Sequence, residues 1–506
     1  MSGLYQMLLS SSEVVNKGLF YRADQEKRLC EDRRIAILRK KLFSINYIQF
    51  YGNKHKYSGL FLNKSIKEDI NLKIAVVGCT HAGTMAVLQI LKDHPDTRVT
   101  VYERDSNISF LSCGIHLYLG GKVRRLEDMF YASPQELEKQ GAKVKIRHEV
   151  LKIDAQSKTL KVADMTSGHI FTDYYDKLIM TTGSSVRVPP LFGIDHAKVL
   201  LCKNFEQARE IYNTAKENKK IAIVGGGYVG VELAESYVNT GHEVVLFQAG
   251  KQILNNYVGA EFAHKIKALL SNHHINVMLN HRVTAFTENE NGNLIIQSNH
   301  KKFVADMAIV ATGFVPNTQL LKGQVNMDKN GAIIINNYVQ TSNPDIYAAG
   351  DACVTNYNPT GEAAYLPLAS SAVRQGILAG INVFGNCYPY IGTQATTGMQ
   401  LFGYTLATTG LTYEIALRKE LNAKKVYLEN TIGFNYKEPV SIELVYDQDT
   451  RKILGAQLWS KHEVAQSANA LSIAIQNGNT IDDLASLNSD FKFLNIVAQM
   501  AINQIH

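Results

Sequence analysis

Two stretches of this 506-residue chain run from a short β-branched strand through a glycine-rich turn into a helix, which commits it to parallel sheets flanked by helices. The first is Lys73-Ile-Ala-Val-Val-Gly78, followed by Cys79-Thr80-His81-Ala82-Gly83 and then Thr84 to Leu91, with apolar residues at helical spacing. The second is Ile221-Ala-Ile-Val-Gly225, followed by Gly226-Gly227-Tyr228-Val229-Gly230 and an amphipathic run through Glu232 to Glu235. In such a unit one glycine makes the turn, a middle one admits a phosphate to the backbone, and a third lets helix and strand pack closely. The amide end of the helix then holds the pyrophosphate of a dinucleotide. The second copy carries all three glycines, at 225, 227 and 230, whereas the first has Thr80 at the middle position. The strand Arg98–Glu103 supports the first copy, because its terminal acid falls where a carboxylate accepts both ribose hydroxyls. Two nucleotide folds in one chain point to a flavin and a nicotinamide dinucleotide.

One short loop after the first unit lies Cys113, in Ser109-Phe-Leu-Ser-Cys113-Gly-Ile-His116-Leu-Tyr118. The cysteines stand singly at 30, 79, 113, 202, 353 and 387, with no metal-site or secreted-disulfide spacing, which suits a reducing cytosol. A lone thiol beside a flavin can cycle with a sulfenic acid or form a mixed disulfide with a small thiol. Cys202, Cys353 and Cys387 read as packing residues, and Cys79 as packing beside the cofactor.

The net charge of +7 is concentrated at one end. Residues 1–71 hold 13 Lys or Arg and 7 Asp or Glu, so the remainder is nearly neutral and carries no nucleic-acid footprint. No apolar run approaches the ~20 residues that span a membrane, and no signal-peptide arrangement is present, so the expectation is a cytoplasmic protein. Residues 1–72 read as a poorly ordered extension in which Gln25–Phe43 has the composition of a basic helix.

From Lys73 onward the chain resembles the pyridine nucleotide-disulfide oxidoreductases. Within them it is most similar to the single-cysteine branch of NADH oxidases, NADH peroxidases and coenzyme A-disulfide reductases, with the water-forming oxidases foremost. Beyond the motifs above, Tyr175–Ser184 and Ala308–Asn317 resemble the two crossing strands of that family. Asp345–Ala352 resembles its second flavin motif, and Leu366–Gly376 the start of the following helix. The resemblance implies an α/β fold: two Rossmann-like domains, for FAD and NAD, plus a C-terminal α+β dimerisation domain. The expected divisions are an FAD-binding domain from 73–183 and 314–393, an NAD(P)-binding domain at 184–313, and a dimerisation domain at 394–506.

The same resemblance implies the site. Gly78, Cys79, Thr80, His81 and Ala82 form the FAD pyrophosphate turn, Glu103 takes the adenosine ribose, and Asp351 takes the ribityl chain. Val150, Thr181, Thr182, Gly183 and Ser184 line the cofactor. Lys203 meets a phosphate or the flavin edge, and Leu368 with Ala369 the isoalloxazine. For the nicotinamide nucleotide it implies Gly225, Gly227, Val229, Gly230, Tyr257, Gly313 and Gly398. Tyr228 serves as a gate over the flavin and Glu232 contacts the carboxamide. Cys113 and His81 are the catalytic pair, His81 as an acid–base group titrating near neutrality. Electrons pass from NADH through FAD to dioxygen, and a Cys113 thiolate reduces the peroxide stage by way of a sulfenic acid, giving water. A homodimer and a role in oxygen detoxification follow from the resemblance.

Two departures stand out. The strand Glu243–Phe247 ends in Gln248, where an NADH enzyme places an acid on the ribose 2′-hydroxyl; with Lys251 nearby, NADPH is expected to be accepted too. The segment Asp482–Asn495 is several residues shorter than the family's, which implies a more open site over the partner's flavin. NADH peroxidase and coenzyme A-disulfide reductase are the enzyme alternatives, and a flavin-binding redox sensor or an inactive homologue the non-enzyme ones.

Overall fold

The computed structural model describes residues 72–431, 439–487 and 492–505. The extension at 1–71, with Gln25–Phe43 and Cys30, lies outside the described residues, as do residues 488–491 of the shortened segment.

Each fingerprint strand is the middle strand of a five-stranded parallel sheet. In the first sheet Lys73–Val77 lies between Arg98–Glu103 and Lys177–Met180, with Lys143–Ile146 and Ile346–Ala348 at the edges. In the second, Lys220–Val224 lies between Glu243–Gln248 and Met307–Val310, with Asn276–Leu279 and Val199–Leu201 outside. The central strands are apolar along their length because both faces are covered. Connections leave the central strand in opposite directions, so the crevice beyond its carboxyl end is where a ligand binds in such sheets.

Four helices position the site: α1 (His81–Asp93) follows the first turn, and α2 (Ile115–Leu119) continues a 3₁₀ turn at Ser112–Gly114. The second turn leads into α3 (Tyr228–Asn239), and α4 (Ala369–Asn382) follows the Asp345–Ala352 motif. Helices α1 and α4 cross through small residues. A Cβ on Gly376 would stand 2.3 Å from the Ala82 carbonyl oxygen, and one on Gly380 2.7 Å from that of Ala86. Only glycine allows backbones to approach this closely.

The chain crosses between the nucleotide folds through Ser184–Val186 and Phe314–Pro316, which pair antiparallel. Asn317 secures the crossing: its backbone carbonyl accepts from the Thr182 hydroxyl, and its side-chain amide donates to the Thr182 carbonyl. Residues from Thr397 onward form a five-stranded antiparallel sheet with Ala465–Gln476 among the helices on it. Its strands include Pro439–Asp447 and Ile453–Ser460.

Candidate active site

The first turn is built by contact between glycine and strand end. Gly78 adopts φ +89° and its Cβ position would fall 2.5 Å from the Thr181 carbonyl oxygen, while a Cβ on Gly83 would fall 2.1 Å from the Gly78 carbonyl. Thr181 donates its hydroxyl to that same carbonyl at 2.7 Å. The Glu103 carboxylate accepts the Cys79 and Asp105 amides at 2.7 and 2.9 Å, so the acid at the second strand's end reaches the turn. Burial pushes its carboxyl up to about 7 against those two amides. Cys79 itself is buried, its sulfur 3.5 Å from the Thr84 hydroxyl, in agreement with a packing role. The Val150 side chain is buried in register with Val162, which leaves only its backbone for a ligand.

Helix α1 starts at Thr80 without a side-chain cap, so its first amides remain available. His81 opens it. Its Nδ1 lies 3.0 Å from the Tyr131 hydroxyl, the rings stack at 5.7 Å, and that hydroxyl also donates to the Thr80 carbonyl. Tyr131 has one proton to give, so with it on Thr80 the imidazole carries its own proton at Nδ1 and keeps a lone pair at Nε2. Burial lowers His81 to about 4, with Asp351 opposing and Lys203 assisting. The expectation of a histidine titrating near neutrality is therefore corrected: desolvation holds this imidazole neutral, as a base.

Asp351 accepts from the Ser184 hydroxyl at 2.7 Å and pairs with Lys203 at 3.0 Å. Burial works against the carboxylate, but Lys203 and Ser184 outweigh it and hold its pKa down. Lys203 also places its ammonium over the Phe314 ring at 4.1 Å. In the protein itself Lys203 thus answers to Asp351. Cys113 is half-buried at the start of the turn into α2. Burial first, and Glu232 second, push its thiol up to about 12, with Lys203 opposing. The protein's own groups thus favour the thiol, so forming the expected thiolate calls for a base that takes its proton.

At the second turn Gly225 takes φ +122° and Gly230 packs against its carbonyl. Gln248 accepts the Gly226 amide at 3.2 Å and donates to the Gln252 carbonyl at 2.9 Å, so an uncharged amide closes the ribose end. Helix α3 also begins uncapped, at Gly227. Tyr228 lies 4.4 Å from the Tyr257 ring, and its hydroxyl reaches Thr397 at 2.8 Å, next to Gly398 on the C-terminal sheet. Glu232, the residue expected to contact the nicotinamide carboxamide, has its carboxyl 3.4 Å from His116 Nδ1, and burial together with Glu235 pushes it up to about 8 against Lys122. Leu368 and Ala369 stand half-buried at the start of α4, and Val229 half-buried in the first turn of α3.

These residues fit two bound dinucleotides. His81 Nε2 and the Tyr365 hydroxyl are buried with no hydrogen-bond partner, a cost that a ligand would remove. A Cβ at Gly183, Gly227 or Gly313 would meet nothing within 4 Å, so these backbones border open space. Tyr131 and Tyr365 escaped the sequence reading, and His116 entered it only as a residue standing where a second thiol would be, because their importance comes from contacts across tens to hundreds of residues.

Two parallel nucleotide sheets, a crossing ribbon and a lone thiol between the turns define a flavoprotein oxidoreductase of the two-dinucleotide class. The pyridine nucleotide-disulphide oxidoreductase model matches residues 72–376, and that of the family's dimerisation domain matches 397–488. The chain belongs to this family. It is 45% identical over 448 residues to an NADH oxidase of Enterococcus faecalis, covering 86% of this chain and all of that protein. An NADH oxidase of Streptococcus pneumoniae is 36% identical over 441 residues, covering 82% and 94%. Among solved structures, the water-forming NADH oxidase from Lactobacillus brevis bound to NADH superposes with a TM-score of 0.84 at 47% identity, covering 86% and 99%. An engineered NADPH oxidase made from it, bound to NADPH, superposes equally well.

Proposed function

We propose that the chain is an FAD-dependent NADH oxidase that reduces dioxygen to water and works as a cytoplasmic homodimer. The names of its relatives support this, as does the observation that Cys113 has no thiol where a dithiol enzyme would need one. The family's second thiol position falls among His116 and Tyr118, and His116 is engaged by Glu232. The flavin half is formed by 73–183 and 314–393, and the nicotinamide half by 184–313. No helix among the described residues is long and apolar enough to cross a membrane.

FAD would supply a hydride acceptor and deliver electrons onward. It would be held by the amides of α1, by Glu103 at the ribose and by Asp351 at the ribityl chain. Tyr228 and Tyr257 cover the nicotinamide entrance, and the first amides of α3 take the second pyrophosphate. Cys113 attacks peroxide as a thiolate, becomes a sulfenic acid and releases one water; a second NADH returns it to the thiol level with the second water. His81, with its lone pair at Nε2, takes the thiol proton and gives it back to the departing oxygen. Overall, two NADH, two protons and one dioxygen give two NAD⁺ and two waters.

The test is stoichiometry. NADH and oxygen followed in one cuvette should disappear at two to one, unchanged by catalase. A one-to-one ratio with oxygen returned by catalase would indicate peroxide as product, and NADH loss that needs added peroxide would favour the peroxidase reading. The neutral Gln248 carries no charge to repel a 2′-phosphate, so kcat/KM for NADPH should fall within about a hundredfold of that for NADH, about 3 kcal/mol of discrimination at most. A larger measured preference for NADH would remove the coenzyme proposal while leaving the oxidase one intact.

A further inference from the structure

The oxidase reading gives His116 no role beyond occupying the position of a second thiol. Two of its groups nevertheless meet α3. The ring Nδ1 stands 3.4 Å from Glu232 Oε2, each side chain only 15% exposed, and the backbone carbonyl accepts the Ser236 hydroxyl at 2.8 Å. Glu232 and Ser236 are one turn apart on the same face of α3. A single residue of α2 therefore holds two successive turns of α3, which fixes rotation as well as distance. On its own side the ring faces the carbonyl of Cys113, one turn back. Whichever partner holds the proton, the pair carries no net charge, which suits a buried position. Glu235, also on α3, is occupied elsewhere, accepting the Phe402 amide at 2.7 Å.

We propose that His116 is a positioning residue for the reaction: through Glu232, Ser236 and the Cys113 carbonyl it clamps the thiol-bearing turn to the nucleotide helix, so that sulfur and carboxyl keep fixed places around the nicotinamide. The inference rests on the oxidase reading for the roles of Cys113 and Glu232. The clamp itself is a property of the protein and can be measured without turnover.

The experiment uses the full-length, FAD-loaded protein as wild type, His116→Ala, His116→Gln and His116→Leu, compared at equal flavin content. Without NADH, the rate at which iodoacetamide alkylates Cys113 is read from its own peptide, which separates it from the exposed Cys387. With NADH, KM and kcat are taken from oxygen uptake. Loss of one buried polar contact should speed alkylation about tenfold in the Ala variant and raise KM about tenfold, with kcat within about threefold. Gln, whose amide can meet both carboxyl and carbonyl, should restore both to within about threefold of the wild type. Leu, of similar bulk but apolar, should not. Wild-type alkylation and KM in the Ala variant would overturn the proposal, and so would Leu rescuing as well as Gln, since His116 would then only fill space. A wild type that consumes no oxygen with NADH would end the oxidase reading, and the alkylation rates would still judge the clamp.

Discussion

At the scale of single residues, burial decides the chemistry more than residue type does. Cys113, His81 and Glu232 all depart from their ordinary ionisation in the direction that removes charge from a dry site. Cys113→Ser keeps the flavin and nicotinamide sites but has no sulfur to oxidise; it should still consume NADH while accumulating hydrogen peroxide, at one NADH per dioxygen, measured with a peroxide assay. For Glu232 the consequence appears as stability. Its carboxyl is held up to about 8 in the folded chain, against an ordinary 4.5, by burial and Glu235 with Lys122 opposing. The folded state thus keeps a proton that the unfolded chain gives up. This contribution is whole below about pH 4.5 and is lost as the pH climbs through 8. Glu232→Gln cannot ionise, so its unfolding free energy should gain on the wild type by a few kcal/mol between those limits, checked by urea titration across the range. A difference that stays flat with pH would show that the carboxyl titrates normally. The sequence located all three residues but not their ionisation, because burial, which shifts each of them most, is set by packing against distant parts of the chain.

Among elements, the fingerprints were legible and the contacts between elements were not. Strand, turn and helix order follows from β-branched runs, glycine spacing and apolar periodicity, which are local signals. Even Thr80 in place of the middle glycine left the first turn intact, because the close approaches fall on Gly78 and Gly83. The pairing of α2 with α3 through His116, and the seat of His81 on Tyr131, depend on how loops return across the sheets; no periodicity encodes them. The crossing of α1 and α4 is the most sensitive of these contacts. Gly376→Ala puts a methyl carbon 2.3 Å from the Ala82 carbonyl, within the first turn of the helix proposed to face the FAD pyrophosphate. One helix must shift, at a cost of about 1–3 kcal/mol. The variant should melt lower and lose FAD on gel filtration, read from the flavin-to-protein absorbance ratio; an unchanged melting point and ratio would show that the crossing tolerates the methyl group.

For the whole molecule, the family match begins at residue 72, and an alignment that takes in 86% of this chain already covers 99% of a solved oxidase. A chain lacking residues 1–71 should therefore keep its flavin and its kcat for NADH within about twofold, a change of under about 0.5 kcal/mol in barrier; a collapse of either would assign those residues a part in the catalytic body. The discontinuous first sheet has a consequence of its own. Its edge strand Ile346–Ala348 pairs with Lys177–Met180, and α4 seats on α1, yet the entire second sheet is encoded between them. During synthesis at roughly 5–20 residues per second, the first half of the flavin fold must wait on the order of 10–40 s for its closing strand and helix. The nicotinamide fold, whose strands are contiguous in the chain, can be finished during that interval. The order in which the two nucleotide folds can close is thereby set by gene layout, with the flavin fold last.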